Sequence, residues 1–171
     1  MNGKNLGKFI TTLFLIICMA FPVNAQIKSK VNNVNMDLQT VICKDDVSRV
    51  KGVARGRLIS SAELQISDDG NGVLGVYAET LCHIPVEKIY MIIFLEVWDE
   101  ENQDWKYLSD YEYTWNSADF PNRPLTDVSV SFDIHGLRRG KTYSLRAYHS
   151  VDGFDSTYET MSTETSGIVL D

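Results

Sequence analysis

Three histidines, three cysteines and 23 acidic residues are the groups in this sequence that could do chemistry. A zinc site needs three or four convergent nitrogen or sulfur ligands. His83, His135 and His149 lie far apart in sequence, and the adjacent Cys82 and His83 would point to opposite faces of a strand. His149 shares parity with Tyr143, Leu145 and Ala147, so it reads as a half-buried histidine at a strand end. No Gly-x-Ser-x-Gly elbow, phosphate-binding loop or His-Glu-x-x-His helix occurs. A glycosidase carboxylate pair would need a deep sugar cleft, for which a domain of roughly 115 residues has little room. Two acidic turns have the composition of calcium loops. "SDDGNG" (67–72) lacks the spaced acids and closing bidentate Glu and reads as a hairpin turn; "DEENQD" (99–104) reads as a solvated tip. The expectation is a non-catalytic protein with no metal and no cofactor, with a small extracellular enzyme the third choice.

The cysteines divide according to the N-terminus. Lys4 and Lys8 precede an apolar run from Phe9 to Phe21, followed by Pro-Val-Asn-Ala: the order of a secretory signal peptide over residues 1–25. At about 1.5 Å per residue the apolar run reaches about 20 Å, short of a bilayer core of roughly 30 Å. Ile17 stands where a lipoprotein signal would place a small residue before Cys18. Cleavage after Ala25 leaves 146 of the 171 residues, with Cys43 and Cys82. In an exported protein two cysteines point to one disulfide, here closing a loop of about 40 residues and contributing about 4 kcal/mol on the chain-entropy account. Two unrelated thiols are the alternative.

Cleavage also removes two lysines and no acid, which leaves 14 cations against 23 acids, a net −9. That balance argues against nucleic acid, which is bound through basic stripes, and against docking on anionic lipid. The expected setting is extracellular, with an unidentified protein or glycan as partner and no stable membrane insertion after cleavage.

Residues 26–55 are polar and irregular and read as a flexible N-terminal arm or linker. From residue 56 the strand pattern is nearly unbroken. "LISSAELQIS", "VLGVYAETLC", "EKIYMIIFLEVW", "DWKYLSDYEYTW", "DVSVSFDI", "KTYSLRAYHSV" and a Thr/Ser-rich last segment through "GIVL" make about seven strands, with turn signals between them. No segment reads convincingly as a helix. Residues 56–171 are therefore expected to form an antiparallel two-sheet sandwich, immunoglobulin-like or fibronectin type III-like.

In "GLRRGKTYSLRAY", Leu137, Gly140 and Tyr143 resemble the Leu-x-x-Gly-x-x-Tyr corner of fibronectin type III domains. There the Tyr hydroxyl bonds upstream backbone. More broadly, "NGVLGVYAETLCHIPVEKI", "LRAYHSV" and "STETSGIVL" resemble a family of small exported β-sandwich proteins of Gram-positive bacteria. The resemblance covers about residues 55–171 and implies a leader, a variable arm and an all-β domain. It implies no activity and carries over no catalytic residues.

The elements that could grip a ligand are the third and fourth expected strands. Ile89, Met91, Ile93, Leu95 and Val97 are aliphatic and should face the core; Tyr90, Ile92, Phe94, Glu96 and Trp98 should face outward. On the next strand Trp105, Tyr107, Tyr111, Tyr113 and Trp115 share one parity. Register then decides, because a one-residue slip exchanges faces. Pairing Trp98 with Trp105 would send the fourth-strand rings outward; pairing Val97 with Trp105 would send them inward. A bulge at Ser109–Asp110 would split them, one Trp to each side. The expected contact surface is Tyr90, Phe94, Trp98, Trp105 and Tyr107. The leading expectation is a secreted interaction module that uses this surface. A structural protein assembling through strand edges is the second class.

Overall fold

The computed structural model describes residues 36–44, 46–54 and 56–171, and side chains from residue 46 onward. The leader read at residues 1–25 lies outside the described residues. The chain is an all-β, antiparallel two-sheet sandwich. Its strands are β1 (Met36–Lys44), β2 (Val47–Ala54), β3 (Ile59–Gly70), β4 (Val73–Cys82), β5 (Lys88–Asp99), β6 (Asp104–Asn116), β7 (Asp127–Ile134), β8 (Thr142–Asp152), β9 (Tyr158–Glu164) and β10 (Ile168–Val169). One sheet has the order β1-β2-β3-β4-β7. The other has β6-β5-β8, with β9 and β10 paired to successive stretches of the far side of β8.

Alternation builds the core. Leu64 and Ile66 on β3, Leu74, Val76 and Ala78 on β4, Ile89, Met91, Ile93 and Leu95 on β5, and Leu145, Ala147 and Val151 on β8 all point between the sheets. Each fully buried Leu or Ile among them contributes about 1.5–3 kcal/mol by leaving water. Gly70, Asn71 and Gly72 all take positive φ in the β3–β4 turn, which is the conformation that DGNG permits.

The segment expected to be a flexible arm is in part sheet. β2 pairs along seven residues of β3, and β1 pairs with β2. Ser48, Val50, Gly52 and Ala54 alternate inward against Arg49, Lys51 and Val53. Three of these four inward residues are small or polar, so the alternation carries little hydrophobic signal.

The expected Cys43–Cys82 bridge is not formed, and Cys82 is a free thiol. Cys43 stands opposite Ser48, which pairs with Ile66, whereas Cys82 pairs with Ile59. Seven residues along β3 separate those two rows, roughly 20 Å, while a disulfide holds its Cα atoms within about 7 Å.

The strand count also exceeds seven, for two reasons. β1 and β2 extend the first sheet, and the last expected strand is broken at Thr165–Gly167 into β9 and β10. At the break the Thr165 hydroxyl accepts the Leu145 N–H at 2.9 Å, taking over a ladder bond.

Two polar links tie the sheets together through side chains. His149 on β8 is fully buried; its Nδ1 lies 2.8 Å from Thr80 Oγ1 on β4 and its Nε2 3.1 Å from Thr163 Oγ1 on β9. It is thus a core residue in mid-strand, deeper than its sequence position implied. Glu159 on β9 accepts the backbone N–H groups of Arg57, Leu58 and Ile59 at 2.6, 2.9 and 2.9 Å, and so anchors the entry to β3.

At the β7–β8 connection the Tyr143 hydroxyl donates to the Arg138 carbonyl and accepts the Arg138 N–H, both at 3.0 Å. The Tyr143 ring is 2% exposed, and Leu137 packs on the core beside it. Gly140, at φ 71°, makes the left-handed turn that returns the chain to β8. Leu137, Gly140 and Tyr143 thus sit together at this turn, with the Tyr143 hydroxyl on backbone five residues upstream.

Candidate functional site

The β5–β6 hairpin decides where the aromatic residues go. Trp98 pairs with Trp105, Val97 with Lys106 and Glu96 with Tyr107; Leu95 then pairs with Ser109, which leaves Leu108 unopposed. A single extra residue reverses the facing of everything beyond it. On the tip side of this bulge, Trp105 and Tyr107 share the outer face with Trp98, Phe94 and Tyr90. Beyond it, Tyr111, Tyr113 and Trp115 pair with Ile93, Met91 and Ile89 and turn inward. The inward rings close the β6–β7 side of the core. Tyr111 lies 4.7 Å and Tyr113 6.2 Å from the Phe132 ring, and Tyr113 stacks on Trp115 at 5.7 Å. The rings are thus split, one tryptophan to each side, with the bulge one residue before the Ser109–Asp110 step where the sequence permitted it.

All five residues expected to form the contact surface lie on the outer face of β5 and β6. Trp98 and Trp105 meet edge to face at 5.3 Å. Gly167 lets the Trp105 ring lie close to the β10 backbone: a Cβ there would stand 2.9 Å from the ring and 3.1 Å from the Tyr143 carbonyl. Tyr107 is 58% exposed and its hydroxyl donates to Asp110, which holds the phenol above its usual range. Burial, then the nearby Glu112 carboxylate, raises the Tyr90 phenol. Phe94 is covered on one side by the Arg146 guanidinium, 5.1 Å from the ring centre, and Arg146 donates to Glu96 at 2.8 Å.

The face continues onto two residues that the sequence reading did not single out. Tyr148 pairs with Ile92, and its hydroxyl lies 3.1 Å from that of Tyr158, which is 40% exposed. The parity of Tyr148, opposite to Leu145 and Ala147, already marked it as outward. Tyr158 reaches the patch only through the pairing of Asp152 with Tyr158 on β9.

At the hairpin tip the face borders a groove of about 430 Å³ between β5–β6 and the β7–β8 corner. Val97, Trp98, Leu108, Leu137 and Tyr143 supply its apolar walls, and Lys106, Arg138, Lys141 and Asp99 its charges. Asp99 is held by Lys106 and by the Asn102 amide, and accepts the Glu101 N–H at 3.0 Å. The Lys106 ammonium above all holds its carboxyl below the usual range. It organises the tip.

Chemistry is sparse elsewhere. Among the described residues no group of three or more His, Cys, Asp or Glu side chains is placed to hold a metal ion. Burial, then Glu159 and Asp127, pushes the Cys82 thiol up to about 12, so it is protonated at neutral pH. In the β3–β4 turn Asp68 accepts the N–H groups of Gly70 and Asp171, both at 2.8 Å, and Asp69 accepts the Ser67 hydroxyl at 2.8 Å. These carboxylates are engaged in building the turn. No helix among the described residues is long and apolar enough to cross a membrane. No protein-family model matches the chain, and no curated protein is significantly similar to it.

Proposed function

We propose that this chain is an exported, non-catalytic interaction module that holds an extracellular glycan or protein against the outer face of β5 and β6. The observation that carries the reading is the bulge at Leu108, which leaves Tyr90, Phe94, Trp98, Trp105 and Tyr107 on one outer face while three other rings fill the core side. Trp98 and Trp105 pack on each other and Phe94 lies under Arg146, but Tyr107 stands 58% exposed beside them, and flat, amphipathic rings are the side chains that dominate contact surfaces. The charged N-terminus and apolar run before Ala25 support export. The Leu137, Gly140 and Tyr143 corner supports reading the sandwich as fibronectin type III-like.

Glycan-array binding and pull-down from extracellular fractions test the proposal, with Tyr107→Ala and Trp98→Ala as controls. Tyr107 is exposed, so its loss should leave the fold intact and weaken capture about tenfold or more, as contact aromatics do. Capture that is the same for wild type and both variants in every assay would sink the reading.

A further inference from the structure

β6 is the last strand of its sheet. Among the described residues its backbone ladder joins it to β5 alone, so its opposite edge offers unpaired N–H and C=O groups. From Ser109 to Asn116, beyond the bulge, the strand is regular. This stretch holds no proline and no lysine, the residues that natural edges use most to block an added strand. Tyr111, Tyr113 and Trp115 pack against Phe132 or one another on the inward side, which fixes the edge in place before any partner arrives.

The outward side chains of this edge include two acids. Asp110 and Glu112 stand two residues apart on one side of β6, about 7 Å, and both are exposed. The Tyr107 hydroxyl donates to Asp110, and Glu112 lies beside the Tyr90 phenol, so neighbouring rings position both carboxylates. Among the described residues neither acid has an ion-pair partner. The cations at outward positions of β5, β6, β8 and β9 are Lys88 and Arg146, and they are engaged by Asp152 at 3.9 Å and by Glu96 at 2.8 Å.

We propose that the β6 edge from Ser109 to Asn116 takes an extended basic segment of a partner protein as an added strand, with Arg or Lys side chains at alternate positions beside Asp110 and Glu112. The inference rests on the reading of β5 and β6 as the ligand surface, and it narrows the partner to a protein. Alternate side chains of an extended chain recur on one face at about 7 Å, the spacing of the two carboxylates. Cross-strand pairs of opposite charge are favourable, and main-chain bonds along the edge supply affinity that does not depend on side chains. The same face already holds one such cation: the Arg146 guanidinium lies over Phe94 and donates to Glu96. A second copy of β6, paired antiparallel about Tyr111, would set Asp110 against Glu112 and repel. A glycan has no main-chain ladder to offer the edge. The net charge of −7 steers a basic segment toward the chain.

Calorimetric titration of the whole chain tests this with an alternating Arg-Thr octapeptide and its block isomer of the same composition. The alternating peptide should bind about tenfold or more tightly than the block isomer. N-methylation of every second residue should abolish its binding in one phase and spare it in the other, because alternate N–H groups point to one edge. Asp110→Asn/Glu112→Gln should weaken binding about fivefold, whereas Glu100→Gln/Glu101→Gln, the same change of charge at the exposed hairpin tip, should leave it within about twofold. Equal binding of the two isomers, or equal loss in the two double variants, would mean diffuse charge attraction and overturn the inference. Failure of every basic peptide would overturn it too, while array or pull-down capture that still depends on Tyr107 and Trp98 would keep the broader reading. Loss of that dependence as well would sink both.

Discussion

Acid should weaken this fold through one residue. His149 is fully buried between Thr80 and Thr163, and burial lowers its pKa from 6.5 to about 4. The unfolded chain, titrating near 6.5, therefore binds more protons than the folded one between those values, and stability falls as pH drops through the window. It is fully present above pH 6.5 and levels off below pH 4. Integrated from pH 7.5 to pH 4.5, the shift amounts to about 2–3 kcal/mol. That is a large share of the 5–15 kcal/mol typical of a domain. The perturbation is His149→Gln, whose amide can still meet both threonine hydroxyls but does not titrate. Urea denaturation at half-unit pH steps gives both curves. Surface carboxylates are common to the two proteins and cancel in the difference. The wild type should lose about 2–3 kcal/mol more than the variant over that range, and the His149 ring resonance should stay unmoved down to about pH 5. Parallel curves, or a ring titrating near pH 6.5, would refute the burial argument.

Three further outcomes follow from the same geometry. Tyr143→Phe removes a hydroxyl that both donates to and accepts from Arg138 and should cost about 1–3 kcal/mol in urea denaturation, with the fold retained. Deleting Leu108 abolishes the bulge, so either the tip rings or Tyr111, Tyr113 and Trp115 must exchange faces. Exposing roughly half of three rings costs about 5 kcal/mol or more, and a red-shifted tryptophan emission should accompany it. Cys82 should be alkylated in unfolded protein without reductant and resist alkylation when folded, as read by peptide mass; a requirement for reductant would mean it is bridged.

Much of the sandwich could be read from local pattern alone. Leu64, Ile66, Leu74, Val76 and the β5 aliphatics announce their faces because period-two alternation is a property of the strand itself. The Leu137, Gly140 and Tyr143 corner was equally legible, since its hydrogen bonds span only five residues. The failures had different causes. β2 was missed because Ser48 and Gly52 carry no apolar signal, and only the edge of β3 gives them a partner. Two cysteines suffice to suggest a disulfide, but a bridge depends on which rows of the sheet they occupy, and Cys43 and Cys82 stand about seven residues apart along β3.

The sequence by itself determined the all-β class, the inward aliphatic face of β5 and the corner before β8, because each follows from neighbours along the chain. Tertiary structure alone decided the fate of the β6 aromatics. Seating Trp115, Tyr113 and Tyr111 against Phe132 while Trp105 meets Trp98 requires one unpaired residue between them. Where that residue falls is set by packing on both faces at once, which no single strand can encode.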